Sequence, residues 1–306
     1  MGVVESLIGK VDHIIVVDDK CPEKSGEWLR DKCGHPTVQV LFHTTNQGVG
    51  GAMITGYKAA METDAQIIVK MDGDGQMDSR FLPRLIAPLI AGKADFAKGN
   101  RFFDLRALQT MPRMRRIGNL GLTLLTKAVS GFWHLSDPTN GYFALRRGAL
   151  GLVNFHLLDK RYFFEISLLV QLNVVRAVAV DVPIPAIYGD ENSSLNPYRA
   201  LMTFPGKLMG GFMHRIWWRY FIYDINIVSV FMVAGLVLFL GGAIFGGWRW
   251  SANIQEGNQS AGTVALAMLP MLLGFQMLLQ AMVLDVMDKP SEPVSETLEA
   301  GEVKGR

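Results

Sequence analysis

Two long apolar runs near the C-terminus restrict the fold of this chain more than any other feature. Residues 225–248 are almost uninterrupted hydrocarbon, and residues 264–286 are broken only by Gln276, Gln280 and Asp285. Each run is long enough to cross a hydrocarbon core of roughly 30 Å. The alternative is a pair of buried core helices, but such helices rarely stay apolar on every face over this length. The sequence therefore predicts two membrane helices, about 225–248 and 264–286, within residues 222–288.

The charges beside these runs predict their orientation. Basic residues precede the first run and follow the second: Arg199, Lys207, Arg215, Arg219 and Lys289. The loop between the runs contains one basic residue, Arg249. Because cytoplasmic flanks carry the excess of Lys and Arg, both termini are expected in the cytoplasm. A net charge of only +2, with no basic cluster interleaved with aromatic residues in the polar part, argues against nucleic-acid binding.

Residues 1–196 alternate short β-branched runs with stretches of helical spacing. This pattern predicts an α/β domain with a mainly parallel sheet covered by helices. The predicted strands are residues 12–18, 38–43, 66–71, 95–98, 142–145 and 175–182. The predicted helices are residues 50–63, 79–91, 116–129 and 164–173, the second with Ser79 as its N-cap.

Residues 197–221 carry apolar side chains at helical spacing, with basic residues and two tryptophans among them. Such an amphipathic helix can lie in the membrane interface, with its basic side chains on anionic headgroups. The alternative is a helix that packs on the preceding domain. Its position beside a span favours the interface. Residues 289–306 are rich in Pro, Ser and Glu, and they are predicted to form a disordered cytoplasmic tail.

An acidic turn follows the apolar run of residues 67–71. It places Asp72, Asp74 and Gln76 just past the C-terminal end of a predicted strand, the edge at which open α/β sheets bind ligands. Carboxylate and amide oxygens are the ligands that Mg²⁺ or Mn²⁺ prefers, and such an ion also takes oxygens from substrate phosphates. A nucleoside diphosphate would complete this coordination sphere. The alternative is a plain Asp-Gly turn.

Four motifs together resemble family 2 glycosyltransferases. They are Val16-Val17-Asp18-Asp19, Asn46-Gln47-Gly48-Val49-Gly50-Gly51-Ala52, Asp72-Gly73-Asp74-Gly75-Gln76 and Gly99-Asn100-Arg101. Within that family the chain is most similar to polyprenyl-phosphate glycosyltransferases, and two C-terminal spans after an interfacial helix suit their bacterial branch. The resemblance implies a GT-A type nucleotide-sugar-binding domain in residues 1–196. It also implies an integral protein of the bacterial inner membrane with its catalytic domain in the cytoplasm.

The resemblance further implies roles for single residues. Asp18 and Asp19 correspond to the acidic strand end that hydrogen-bonds the base and ribose, with an Asx turn as the alternative. Asp72, Asp74 and Gln76 correspond to the metal and diphosphate site. Arg101 corresponds to an arginine that contacts phosphate, which suits its planar fork of donors.

Two further predictions concern the acceptor. Asp137 falls where family members place the catalytic acidic residue beside the sugar and acceptor, and a turn or N-cap before Pro138 is the alternative. Since a phosphate acceptor is already anionic, this carboxylate is expected to orient rather than to abstract a proton. Arg113, Arg115 and Arg116 are predicted to receive the lipid phosphate through bidentate bonds, with solvated surface arginines as the alternative.

Family members also begin with a strand in the middle of the sheet, beside the nucleotide, whereas this sequence starts in the helix that follows it. The strand at residues 12–18 is therefore expected to lack one neighbour and to leave backbone groups unpaired.

Three functions are compatible with these observations. The first is inverting transfer of a hexose from a UDP- or GDP-sugar to undecaprenyl or dolichyl phosphate, with Mg²⁺ or Mn²⁺. The second is a polysaccharide synthase, although residues 214–218 lack the glutamine of the Gln-x-x-Arg-Trp motif that such enzymes share. The third is a catalytically impaired scaffold or fragment, which the missing strand supports. The sequence leaves the sugar, the carrier length and homo-oligomerisation open.

Overall fold

The computed structural model describes residues 2–103, 113–138, 140–185, 197–252 and 260–298, with side chains at 113–117, 119 and 197–202 outside the description. The chain divides into two compact units. The first comprises Met1–Arg215 together with Pro290–Arg306, and the second comprises Ile216–Lys289.

Among the described residues of the first unit, six strands form two sheets. They are β1 (Ile14–Asp18), β2 (Val38–Phe42), β3 (Ile67–Lys70), β4 (Phe96–Asn100), β5 (Phe143–Arg146) and β6 (Ala179–Pro183). One sheet pairs β1 with β2 in parallel, and the other has the order β3-β5-β4-β6. Since β5 runs antiparallel to both of its neighbours, the second sheet is mixed, whereas the sequence predicted a mainly parallel one.

Helices cover both sheets. In the first unit they are α1 (Gly2–Leu7), α2 (Ser25–Lys32), α3 (Val49–Met61), α4 (Leu82–Ile90), α5 (Arg113–Ser130), α6 (Arg147–Gly151), α7 (Phe164–Val174) and α8 (Pro197–Trp217), the last of which ends in the second unit. The largest hydrophobic core lies between the second sheet and α3 and α7, where Phe96, Phe143 and Phe164 are almost fully buried. Burying this aromatic surface supplies much of the free energy of folding.

The two sheets are separated at β1, the strand that was expected to lack one neighbour. Among the described strands, β1 pairs with β2 alone, and its other edge faces β3 across a cavity of about 1180 Å³. This cavity reaches from the helix α1 to Asp18, Asp19 and Asp72 at the carboxyl ends of the strands.

Two boundary predictions are wrong in detail. The sixth strand begins at Ala179 rather than 175, because α7 continues to Val174 and Arg176 adopts a left-handed backbone with φ 59°. The helix predicted from Ser79 begins as a 3₁₀ turn whose cap is Asp78, the side chain of which accepts the Arg80 N–H. Ser79 itself is buried within that turn.

The helix α8 combines features of both predictions for residues 197–221. One face packs on the first unit, where Leu208 lies in a cluster with Val129, Phe163 and Val170. The opposite face leaves Met209 exposed. Arg215, however, does not face headgroups. It is completely buried and donates to the carbonyls of Val129 and Ala128, because the last carbonyls of a helix, here α5, need donors.

The second unit is a pair of apolar helices, α9 (Ile227–Ala252) and α10 (Ala261–Met287), that follows a π-helical turn at Trp218–Tyr223. Both are long and apolar enough to cross a membrane, and most of their side chains are exposed. Glycines allow their close approach, since a Cβ on Gly274 would lie 2.4 Å from the backbone nitrogen of Phe239. Two candidate membrane helices are therefore present, as the sequence predicted.

The prediction of a disordered tail is wrong for residues 290–298. These residues belong to the first unit, and residues 294–298 form a helical turn. The completely buried carboxylate of Asp95 accepts the N–H groups of Val294 and Ser295, each at 2.9 Å. Glu296 also forms an ion pair with Arg146. Charge-assisted bonds to an N-terminal turn thus order a segment whose composition is typical of disorder.

Candidate active site

The end of β1 carries two aspartates with different partners. Asp18 is nearly buried, and its two oxygens accept the N–H groups of Cys21 and Gly26, both at 2.7 Å. A Cβ on Gly26 would lie 2.4 Å from Oδ2 of Asp18, so only glycine allows this approach. This geometry is the Asx-type turn that was the alternative for Asp18.

Asp19 organises the glycine-rich segment that leads into α3. Its carboxylate accepts the N–H groups of Gln47 at 2.8 Å and Gly48 at 2.7 Å, and it bonds to the ring of His43 at 2.7 Å. Gly48 has φ 88°, a conformation that favours glycine. The segment is thereby fixed next to Asp19, and its continuation from Val49 lines the cavity.

The acidic turn after β3 places Asp72 and Asp74 in different environments. Lys70 binds both oxygens of Asp72, at 2.8 and 3.0 Å. Burial raises the pKa of Asp72 above its ordinary value, although Lys70 acts in the opposite direction. Asp74 is exposed, and among the described residues its carboxylate accepts only the N–H of Gln76, at 2.9 Å. Asp74 is therefore the more accessible carboxylate of the turn.

Arg101 and Asp137 form a partly buried ion pair at the end of β4. Asp137 is completely buried, and it accepts the Nε of Arg101 at 2.8 Å and the Nη2 at 3.2 Å. The Arg101 side chain remains 38% exposed. Asp137 thus holds the guanidinium in one orientation while leaving part of it accessible.

Close packing links the Arg101–Asp137 pair to the acidic turn after β3. Asn140 donates to the carbonyl of Gly99 at 2.7 Å, which holds the segment after Asp137 against β4. A Cβ on Gly141 would lie 2.4 Å from the Nζ of Lys70 and 3.0 Å from Oδ2 of Asp72. The structure therefore brings Asp72 and the Arg101–Asp137 pair to the same edge of the second sheet. Arg113, Arg115 and Arg116 open α5, and their side chains lie outside the described residues.

Comparison with known proteins identifies the family of this domain. The glycosyl transferase family 2 profile matches residues 2–152. A protein named undecaprenyl-phosphate mannosyltransferase from Micrococcus luteus is 30% identical over 173 residues, which cover 56% of this chain and 70% of the relative. The chain belongs to glycosyl transferase family 2.

Two other relatives of this family 2 chain carry related names. One is UDP-N-acetylglucosamine--dolichyl-phosphate N-acetylglucosaminyltransferase from Methanococcus voltae, 28% identical over 65% of this chain and 87% of the relative. The other is polyprenol monophosphomannose synthase from Mycolicibacterium smegmatis, 31% identical over 51% of this chain and 59% of the relative. These relatives are polyprenyl-phosphate glycosyltransferases that differ in the sugar.

The acidic turn of this family 2 domain fits a divalent cation that shares its coordination with a substrate. Within the described ranges, no three His, Cys, Asp or Glu side chains gather into a metal-binding group. Mg²⁺ commonly binds through one or two carboxylates plus substrate phosphates and water, so a full protein cage is not required. Asp74 offers an accessible carboxylate and Gln76 follows two residues later, whereas Lys70 already neutralises Asp72.

Sequence reasoning missed three charged residues at this site: Lys70, Lys98 and Glu165. Lys70 lies in a strand that is otherwise apolar, Lys98 lies in a strand whose other polar residue is Asn100, and Glu165 lies in the apolar helix α7. A charge in a buried strand is uncommon, and this could have drawn attention to them. Burial lowers the pKa of Lys98 to about 8, although Glu165 and Asp137 favour its charged form.

Asp19 is expected to make the stability of the domain depend on pH in acid. Burial alone would raise its pKa, but bonds from Gln47, His43 and Gly48 outweigh that effect and hold it below the ordinary value of 3.8. A depressed pKa in the folded state means stabilisation that is complete above the ordinary value and lost as the pH falls through the lower one. The measurement is the free energy of unfolding in urea between pH 7 and 3. Asp19→Asn should flatten this acid limb, and equal slopes for both proteins would contradict the assignment.

Proposed function

We propose that this chain transfers a hexose from a UDP- or GDP-sugar to polyprenyl phosphate at the cytoplasmic face of a membrane. The observation that carries the proposal is an accessible carboxylate turn beside a guanidinium held by a buried aspartate, at one sheet edge of a family 2 domain. The names of the relatives support the acceptor class, and α9 and α10 supply an anchor where a lipid carrier lies.

In this reaction an oxygen of the lipid phosphate attacks the anomeric carbon of the sugar. The bond from that carbon to the diphosphate breaks, its electrons leave with the nucleoside diphosphate, and the configuration inverts. No proton has to be removed from the acceptor, because the phosphate is already anionic at neutral pH. Alignment of the two phosphates by the protein supplies most of the rate enhancement.

The site residues have different roles in this reaction. Asp74 and Gln76, with Asp72 beside them, would hold a Mg²⁺ or Mn²⁺ ion whose charge stabilises the leaving diphosphate. Arg101 presents its donors to phosphate oxygens in an orientation fixed by Asp137. Asp19 shapes the glycine-rich segment next to it, against which the nucleoside binds.

Sugar transfer by membranes that contain the protein tests the proposal. They would receive polyprenyl phosphate, Mg²⁺ or Mn²⁺, and labelled UDP-N-acetylglucosamine or GDP-mannose. We expect labelled lipid carrying one sugar, and at least about 100-fold less of it with Asp74→Asn. The matched control is Asp31→Asn, which removes an exposed carboxylate from α2 and should not change the rate. Equal labelling by wild type and Asp74→Asn would exclude the metal site, and a polymeric product would indicate a polysaccharide synthase.

A scaffold without catalysis is the second candidate, favoured by the unpaired edge of β1 beside the cavity. Titration with UDP and GDP in the presence of Mg²⁺ separates the two functions. Binding with a Kd in the micromolar range supports the enzyme. No binding of either nucleotide up to millimolar concentration supports the scaffold.

A further inference from the structure

Two lysines lie side by side on one face of the second sheet. In the strand register, Phe143 of β5 pairs with Lys70 of β3 on one side and with Lys98 of β4 on the other. Both ammonium groups lie over the same Phe143 ring, at 6.0 Å for Lys70 and 5.0 Å for Lys98. Two like charges in such proximity, with little access to solvent, require compensating charges.

Glu165 supplies one of these charges from the first turn of α7. Its Oε1 lies 3.5 Å from the Nζ of Lys70, and it is the foremost favourable charge acting on Lys98. Asp137 is the next favourable charge acting on Lys98. Lys98 itself is completely buried, and its Nζ has no hydrogen-bond partner among the described residues. A buried ammonium without hydrogen bonds depends on neighbouring charges for its stabilisation.

These side chains form a row of alternating charge from one end of the site to the other. The row consists of Asp72, Lys70, Glu165, Lys98, Asp137 and Arg101. Ion pairs join Asp72 to Lys70, Lys70 to Glu165, and Arg101 to Asp137. Lys98 lies beside Lys70 over the Phe143 ring, where the charges of Glu165 and Asp137 act on it. Three negative and three positive charges make it neutral. The two ends, Asp72 and Arg101, are each 38% exposed at the side chain, whereas Lys70 and Asp137 are 2% and 0% exposed. The interior of the row is therefore shielded from solvent while both ends reach the site.

We propose that Lys98 and Glu165 are positioning residues that balance this row, a role that rests on the function proposed above. They touch no substrate. Glu165 shares Lys70 with Asp72, which limits how strongly Lys70 neutralises the acidic turn. Lys98 offsets Glu165 and Asp137, so that Asp137 can hold Arg101 without leaving the site with a net negative charge. An anionic donor diphosphate then meets a neutral site rather than a repulsive one.

Three variants test whether Lys98 and Glu165 balance the charge of the row. Lys98→Met removes the buried positive charge, Glu165→Gln removes the negative one, and the double variant removes both and restores neutrality. Each protein, purified with its membrane helices in detergent, is titrated with UDP and GDP in Mg²⁺. The matched control is the exposed pair Lys58→Met and Glu62→Gln on and beside α3, which should leave binding unchanged. Thermal unfolding shows that each variant is folded, and the double variant should be no less stable than either single one.

The proposal predicts effects that differ between the two single variants. Lys98→Met should raise the Kd of the nucleotide by about tenfold, because it leaves one negative charge uncompensated in a poorly solvated site. Glu165→Gln should not raise the Kd. The Kd of the double variant should return to within about threefold of the wild-type value, because the effects of coupled residues are not additive. A purely structural role would weaken binding in both single variants and most of all in the double variant, and that outcome would overturn the proposal. Wild-type sugar transfer is measured separately, so failure of the proposed function does not affect the reading of the binding series.

Discussion

Replacing Asp137 with asparagine is expected to slow sugar transfer by about 100- to 1,000-fold, the range seen when a positioned donor to the transition state is lost. Asp137 is completely buried, and both of its oxygens are bound to the guanidinium of Arg101. Asparagine offers one acceptor and turns an NH₂ group toward the guanidinium. Arg101 then loses its fixed orientation, and its partly exposed guanidinium is left without the carboxylate that it faces.

Rates of wild type and Asp137→Asn across pH 6–9 separate orientation from base catalysis. If Asp137 only orients Arg101, the ratio of the two rates should stay constant, because no proton is taken from the anionic acceptor. A ratio that shrinks steadily with rising pH would instead identify Asp137 as a base. Arg80→Gln is the matched control, since it breaks the exposed Asp78–Arg80 pair near the acidic turn and should leave the rate unchanged. A rate for Asp137→Asn close to wild type would contradict both roles.

The sequence predicted the elements of this fold more accurately than their assembly. Each predicted strand and helix of the first domain is present, because period and propensity are local properties of the chain. The antiparallel direction of β5 was not predictable in this way. It depends on how the chain returns between β3 and β4, and no local pattern in residues 142–145 encodes direction.

The candidate site was likewise predictable only where local sequence determines the position of a residue. Asp72, Asp74 and Gln76 could be placed from the sequence, since a turn directly after an apolar strand fixes their location. Their partners could not, because Lys98 and Glu165 meet Lys70 through strand register and helix packing. The sequence likewise suggested a polar contact for Asp18 with the nucleotide. In the structure, its oxygens accept N–H groups three and eight residues away, which no local pattern predicts.

Removing the tail after residue 289 is expected to destabilise the catalytic domain, by about 3–6 kcal/mol for the loss of two hydrogen bonds to a charged group. With the tail in place, Asp95 accepts N–H groups from Val178, Val294 and Ser295, all at 2.9 Å, and two of the three come from the tail. Truncation would leave this carboxylate, which is completely buried when the tail is present, with one of these donors. For a domain of this size the melting temperature should fall on the order of 10 °C.

A second truncation and a point substitution make this test specific to Asp95. A chain ending at residue 298 keeps the described turn and should melt like the chain of 306 residues, so it is the matched control. Asp95→Asn should destabilise the 306-residue chain, because its NH₂ group would face N–H donors, yet cost less in the chain ending at 289, where two of those donors are gone. Melting of detergent-solubilised protein measures all of these variants. Equal melting temperatures for the chains ending at 289 and 298 would show that the tail contributes nothing to the stability of the fold. A smaller decrease in melting temperature for Asp95→Asn in the shorter chain would identify the buried carboxylate as the group through which the tail stabilises the domain.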